Sequence, residues 1–335
     1  MRLGVLDIGS NAAQLQVVEL ASGAPPLPAH TVKHPTRLTS SFDARGAIEP
    51  DGVDRVVRAA GAAVQEARRS GVERLYTFAT AAVRDAANAE VVLDMIGEAT
   101  GFRPATLSGV DEARLTYLAV RRWYGWSSGR LLLLDIGGGS MEVALGRDAR
   151  PDLALSLPLG AGRLAREFLV SDPPRRDELE ALRRHVRGSL RAVADRIRWE
   201  GTPKRVIATS KTFKQLARLC GAPPQRRGPF ARRQFSRKEL ASALNQLSNT
   251  PAAKRSRLAG VSEARAEQIV AGALTARVTM KVLGVSSVEV CPWALREGLM
   301  LHHLETAMHD PGLPSLAAGN GHGRAGPDQL EIAAL

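Results

Sequence analysis

The chain of 335 residues is long enough for about two domains, and its 44% hydrophobic and 24% charged residues are those of an ordinary globular protein. No apolar stretch nears the roughly 20 residues that span a bilayer, the apolar run at the N-terminus is too short for a signal peptide, and Cys220 and Cys291 match no metal spacing, so a soluble cytoplasmic protein with two free, buried thiols is expected. The formal net charge of +12 favours polyanionic partners, although an arginine-rich composition accounts for it equally well.

Residues 2–8 form a short apolar run that predicts a buried strand, followed by a tight turn and a second strand over 17–20. Helical periodicity covers 50–70 and stops at Gly71. A strand over 75–79, a helix over 85–100 stopped by Gly101, a strand over 104–107 and a helix over 110–123 follow. The pattern then restarts with strands over 130–136, 143–145 and 153–157, helices over 163–168 and 176–199, and a strand over 205–208 leading to a helix over 212–219. After a basic loop over 221–233, helices dominate to residue 283; a last strand covers 287–290 and a last helix 292–305, with Pro292 in its first turn. From about residue 310 the sequence lacks periodicity and reads as a disordered tail. Alternating strands and helices give an α/β fold, with domain I over 1–120, domain II over 121–293 and a final helix, 294–306, returning to domain I.

The two halves open alike. The first has Asp7-Ile8-Gly9-Ser10-Asn11 after its strand, and the second has Asp135-Ile136-Gly137-Gly138-Gly139-Ser140. Such internal similarity points to duplicated domains. In each copy a buried strand delivers one Asp to its end. Glycine then allows a turn through positive φ and a close backbone approach to a ligand. Successive N–H groups in such turns form anion-binding concavities. The Asp carboxylate repels phosphate but suits Mg²⁺, which bridges to phosphate oxygens. A flexible turn would explain one copy; two copies, each after a buried strand, make that explanation poor. A dinucleotide fingerprint is disfavoured, because Gly137, Gly138 and Gly139 lack the Gly-x-Gly-x-x-Gly spacing and no helix follows directly.

This pairing resembles the sugar kinase, actin and heat-shock ATPase superfamily. More narrowly, it resembles the exopolyphosphatase and guanosine pentaphosphate phosphatase (Ppx/GppA) family, with similarity over residues 1–305. Thr80-Ala81-Ala82-Val83-Arg84-Asp85-Ala86-Ala87-Asn88 is similar to a family segment, and Ser108-Gly109-Val110-Asp111-Glu112-Ala113-Arg114-Leu115 to another. The resemblance implies two RNase-H-like domains around a central cleft and removal of a terminal phosphate by water. It makes Glu112 the catalytic base and Arg84 a phosphate-holding catalytic residue. Ser108 and Asp111 have capping-box spacing, which leaves Glu112 over for chemistry; alternatively, Glu112 complements the helix dipole. Ser10, Asn11, Gly137, Gly138, Gly139 and Ser140 would bind phosphate. Asp7, Asp135 and Glu142 would hold Mg²⁺ or Mn²⁺, with an exposed strand carboxylate as the plainer reading of Glu142.

Thr209-Ser210-Lys211-Thr212 opens a helix after a strand, a site suited to anions, so Ser210, Lys211 and Thr212 join the phosphate-binding set. Relatives have Gly-Gly-Thr there; Ser210 could serve as an N-cap, and Lys211 adds charge that favours phosphate over a snug nucleotide. Ala12 stands where relatives carry a hydroxyl, which raises the possibility of a weak enzyme. Two segments, 265–273 and 295–299, also resemble the family and read as architectural. The arginines from Arg226 to Arg237 read as solvated surface or as a track for a long polyanion, and no specific nucleic-acid motif is present.

The expected substrate is inorganic polyphosphate, short chains in particular. Guanosine pentaphosphate, or a low-turnover regulator that binds polyphosphate or nucleotide, is the alternative. The family resemblance also suggests a homodimer.

Overall fold

Strand β1 (Arg2–Ile8) is buried along almost its whole length and occupies the centre of a five-stranded sheet. The structure is a computed structural model that describes residues 1–19, 28–38 and 41–307. The tail expected from about residue 310 lies outside the described residues. Antiparallel β2 (Ala12–Glu19) starts directly after the β1 turn, with Asp7 opposite Gln14, and β3 (Pro28–Pro35) pairs with its far edge. Helix α1 (Pro50–Arg69) covers the sheet with Val53, Val56, Ala60 and Val64, and Gly71 after it takes φ +65°. Strand β4 (Arg74–Ala79) runs parallel to β1. The helix expected over 85–100 starts later, as α3 (Ala89–Thr100), and a separate short helix, α2 (Ala81–Arg84), precedes it across a break. The break forms because the Asn88 side chain trades two hydrogen bonds, each 2.9 Å, with the backbone of Ile48. Strand β5 (Ala105–Thr106) closes the sheet, and α4 (Gly109–Tyr124) leaves it.

The second sheet repeats the first. Strand β6 (Leu131–Ile136) is its counterpart of β1, with β7 (Met141–Gly146) antiparallel to it and β8 (Leu153–Leu157) beyond. Helices α5 (Ala161–Phe168) and α6 (Arg176–Glu200) lead to β9 (Arg205–Thr209), parallel to β6. Then come α7 (Ser210–Leu219), the short β10 (Gln234–Ser236), α8 (Arg237–Ser248), α9 (Ala252–Arg255) and α10 (Ile269–Val282). Strand β11 (Ser287–Val290) is parallel to β9. The first sheet has the order β3-β2-β1-β4-β5 and the second β8-β7-β6-β9-β11, with β10 added at the edge. One RNase-H-like strand order thus occurs twice, and the molecule is α/β with two such sheets.

Leu131 to Leu134 are fully buried, so both faces of β6 are covered and the strand reads as a continuous apolar run. With few aromatics, both cores rest on Leu, Val, Ile and Ala.

Two compact units result: Met1–Asp111 joined by the segment from Arg296, and Glu112–Leu295. The division falls inside α4, earlier than the boundary near residue 120 expected from sequence. The last turns of α4 belong to the second unit because the Arg121 guanidinium donates to the carbonyls of Gly129 (2.6 Å) and Gly146 (3.5 Å). The last helix, α11 (Leu295–Ala307), begins later than expected, and Pro292 lies before it. Cys291 is buried, but Cys220 is only half-buried; both are free, and burial pushes the Cys220 thiol up to about 12. Among the described residues no helix is long and apolar enough to cross a membrane.

Candidate active site

In the first unit the turn after β1 is closed by the Gly9 N–H, which donates to the Ala12 carbonyl at 3.1 Å. Ala12 therefore holds the turn through its backbone, and the missing hydroxyl does not alter the loop's shape. The loop carbonyls are all occupied. Thr36 Oγ1 donates to Gly9 (2.8 Å), the Leu38 N–H to Ser10 (2.7 Å) and the Thr36 N–H to Asn11 (3.1 Å). In a trans peptide the N–H points opposite the C=O, so the N–H groups of Ser10 and Asn11 turn away from this brace. The Asn11 side chain donates to Ser10 Oγ at 2.9 Å.

Asp7 ends in a divided environment. Its Oδ2 accepts from Arg296 Nη1 at 3.1 Å, whereas its buried Oδ1 has no hydrogen-bond partner. Burial, outweighing the attraction of Arg296, holds the carboxyl above the usual range. A Cβ added to Gly9 would stand 3.7 Å from that Oδ1 and 3.8 Å from Thr80 Oγ1. Glycine thus keeps clear the space in front of an orphaned carboxylate oxygen. Gly9 and Gly137 do not take the positive φ expected of them, and a Cβ at either would meet no atom closer than 3.4 Å.

Arg84 ends α2 with its guanidinium on the Leu107 carbonyl (2.7 Å) and the Asp85 carboxylate (2.8 Å). It therefore braces the chain that enters α4. Ser108 caps that helix: its Oγ accepts the Asp111 N–H at 3.1 Å and lies 2.5 Å from Asp111 Oδ2. Glu112 follows as the first residue of the second unit and is only 6% exposed. Such burial exceeds what a surface carboxylate complementing a helix dipole requires.

In the second unit strand register lines up four polar residues in one row. Thr209 on β9 lies opposite Asp135 on β6, Asp135 opposite Glu142 on β7, and Glu142 opposite Ser156 on β8. Directly opposed residues share a face of the sheet. The Thr209 hydroxyl donates to Asp135 Oδ2, and Ser156 Oγ donates to Glu142 Oε1 at 3.0 Å. Glu142 is buried, so it is not an exposed strand residue. The matching row in the first sheet is Phe78, Asp7, Gln14 and Lys33. The two copies therefore differ in chemistry: only the second places two carboxylates side by side.

The Gly137 N–H donates to the Ser140 carbonyl at 2.9 Å, which repeats the first turn and leaves Ser140 buried at the start of β7. Helix α5 begins against this loop. The N–H groups of Ala161, Gly162 and Arg163 donate to the carbonyls of Gly137 and Gly138 at 2.9 to 3.0 Å. The N–H groups of Gly138 and Gly139 consequently face the other way, and neither has an acceptor among the described residues. Two such amides form an anion-binding nest.

At the start of α7, Thr209 occupies the N-cap position without a side-chain bond to the helix, and Ser210 Oγ accepts the Phe213 N–H at 3.5 Å, as the capping expectation had it. Ser210 has φ +76°, a conformation that favours glycine. Thr212 is buried, and its Oγ1 accepts from Arg265 Nη1 at 3.3 Å. Desolvation brings Arg265 down to about 10, against the pull of Asp135. Partial desolvation, and then repulsion from Arg265, push Lys211 below the ordinary lysine value even though much of its side chain remains accessible.

Sequence reasoning missed Arg265, Arg296, Thr209, Ser156 and Gly160. Both arginines sit in segments read as architectural, and each faces a strand-end Asp of its own unit. Among the described residues no three His, Cys, Asp or Glu side chains converge as a metal cage. Mg²⁺ takes one or two carboxylates together with substrate phosphates and water, so the adjacent Asp135 and Glu142 fit such an ion, and the orphaned Asp7 Oδ1 suits a cation or its water.

Comparison with known proteins identifies the family and the fold. The Ppx/GppA phosphatase family matches residues 17–307. Exopolyphosphatase 1 of Mycobacterium tuberculosis is 48% identical over 306 residues, covering 91% of this chain and 89% of the relative. The crystal structure of an exopolyphosphatase from Cytophaga hutchinsonii superposes with a TM-score of 0.83 at 23% identity, covering 91% of this chain and 98% of that one. The Aquifex aeolicus Ppx/GppA family member gives 0.76 at 23% identity, with 92% and 99% covered. These two solved structures support the fold.

Proposed function

The chain belongs to the Ppx/GppA phosphatase family, and from that premise we propose that it is an exopolyphosphatase that releases terminal orthophosphate from inorganic polyphosphate. The observation that carries the reading is the second unit's arrangement: an outward amide nest at Gly138 and Gly139 beside the Thr209-Asp135-Glu142-Ser156 row, with Lys211 and Arg265 near by. The parts serve phosphate and its counter-charge. None of these side chains is an aromatic platform for a base, which favours an inorganic chain over guanosine pentaphosphate.

Glu112 accepts a proton from water as the water oxygen bonds to the terminal phosphorus. The bridging P–O bond breaks, and the shortened chain leaves with the bond's electrons. The nest amides of Gly138 and Gly139 hold the equatorial phosphate oxygens. Lys211 and Arg265 balance the charge of the chain. Asp135 and Glu142 would hold Mg²⁺ or Mn²⁺; such an ion would supply charge neutralisation at the phosphates. Positioning and electrostatics provide most of the rate.

The test is phosphate release from short and long polyphosphate, guanosine pentaphosphate and ATP, with Mg²⁺ and with EDTA. Release from polyphosphate that EDTA abolishes is expected. Release from guanosine pentaphosphate alone would overturn the substrate assignment. Tight polyphosphate binding without release would leave a binding protein.

A further inference from the structure

The second unit carries an aromatic and cationic pocket that the proposed chemistry does not use. Its cavity of about 250 Å³ is lined by Trp123, Tyr124, Phe230, Arg232, Glu289 and Pro292 among others, and no residue of the phosphate loops lines it. The rings of Trp123 and Phe230 stack with centroids 5.3 Å apart and planes 18° from parallel, and Trp293 meets Trp123 edge-on at 5.2 Å. Phe230 is nevertheless 81% exposed, so one large apolar ring is held open to solvent.

The loop that carries Phe230 is built to stay in place. Arg233 is 8% exposed and donates to four backbone carbonyls: Pro223 (3.1 Å), Ala231 (2.9 Å), Pro224 (2.9 Å) and Gly228 (3.0 Å). A guanidinium spent entirely on its own loop fixes that loop's shape. Arg232 lies 3.4 Å from Glu289 and remains mostly exposed. Arg226 and Arg227 are exposed and form no ion pair among the described residues. Phe230 lies within the basic stretch itself, and the fold adds Trp123 from the end of α4.

We propose that this pocket is a second ligand site that binds a nucleoside polyphosphate, distinct from the site of phosphate release. The base stacks on the solvent-facing side of Phe230, whose other face rests on Trp123, the Glu289 carboxylate accepts an N–H from the base edge, and the phosphates lie against Arg232, Arg226 and Arg227. An inorganic chain would use the arginines but gain nothing from a preorganised, solvent-facing ring. The cavity takes one ring system, which favours a mononucleotide over a strand.

The experiment is metal-free titration of the full chain with ATP, GTP and inorganic tripolyphosphate, followed by quenching of tryptophan fluorescence, for the wild type, Phe230→Ala and Arg232→Glu. Phe230 is exposed, so its removal leaves the fold intact, which an unchanged Tm verifies. ATP or GTP is expected to bind more tightly than tripolyphosphate, and Phe230→Ala to weaken the nucleotide about tenfold or more while leaving tripolyphosphate unaffected. Arg232→Glu should weaken the nucleotides as well. Nucleotide binding that ignores Phe230→Ala would place the ligand at the phosphate loops and overturn the proposal. Tripolyphosphate binding as tight as ATP, or no saturable quenching by about 1 mM nucleotide, would overturn it too.

Discussion

Gly160 is the residue at which the phosphate loop is most exposed to a single methyl group. Its backbone, φ −70° and ψ 144°, would accept alanine without strain. A Cβ placed there, however, would stand 2.3 Å from the Gly139 carbonyl carbon, 2.4 Å from the Ser140 nitrogen and 2.5 Å from the Gly138 carbonyl carbon. All three obstacles are backbone, so no side chain can swing aside. Relief requires the loop or the start of α5 to move by about 1 Å, which strains the three hydrogen bonds from Ala161, Gly162 and Arg163. Overpacking of this kind costs about 2–3 kcal/mol. For a unit of this size that is a fall in Tm of about 4–10 °C. Because the displaced amides are those that grip phosphate, kcat/KM should fall about a hundredfold. Gly188→Ala is the control: it lies in α6, its Cβ would meet nothing within 4 Å, and it should stabilise by about 0.5–1 kcal/mol. Thermal unfolding and phosphate release on both variants decide the matter. A Gly160→Ala protein with wild-type Tm and activity would refute the reasoning.

Ser210→Gly should raise stability by up to about 0.5 kcal/mol in thermal denaturation, since relief of the left-handed strain at φ +76° exceeds the added chain entropy and the loss of the long 3.5 Å cap bond to Phe213; a lower Tm would count against it. His303, 2.6 Å from the Tyr76 hydroxyl, is brought from 6.5 to about 4 by burial, then by Arg74 and His302. Its unfolded form takes up a proton near pH 6.5 that the folded form refuses until about pH 4, so stability is lost as pH falls through that window. With allowance for partial solvation the loss is about 2 kcal/mol at pH 4, and His303→Gln should flatten the profile of Tm against pH. Arg296→Met leaves Asp7 buried without its one hydrogen-bonding partner and should cost about 3 kcal/mol in chemical denaturation, with Asp7→Asn in the same chain recovering much of it.

Much of the frame was legible in the residues. The runs ending at Asp7 and Asp135 identified the two central strands, and their shared turn revealed the duplication before any coordinate. Strand β3 went unseen because most of its residues are exposed and carry no alternation. Strand β10 is three residues long, too short for any period to register. The split between α2 and α3 depends on Asn88 reaching Ile48, forty positions earlier, and no local propensity encodes that. The site divides in the same way. Local motifs marked Asp135 and Glu142 on adjacent strands, but the register that adds Thr209 and Ser156 to their row is a long-range property. Arg265 and Arg296 lie in helix-like segments whose sequence cannot say which carboxylate they will face. Gly160 carries no motif; only the contact with the loop shows why a side chain is excluded there.

The central claim is that the buried carboxylate of Glu112 takes the proton from water during polyphosphate cleavage. The direct measurement is single-turnover release of phosphate from polyphosphate by Glu112→Gln, beside the wild type at matched Tm. Glutamine keeps the shape and cannot accept the proton. The account predicts a fall of at least about a hundredfold in rate with polyphosphate affinity retained. A variant that releases phosphate within a few fold of the wild type would contradict it.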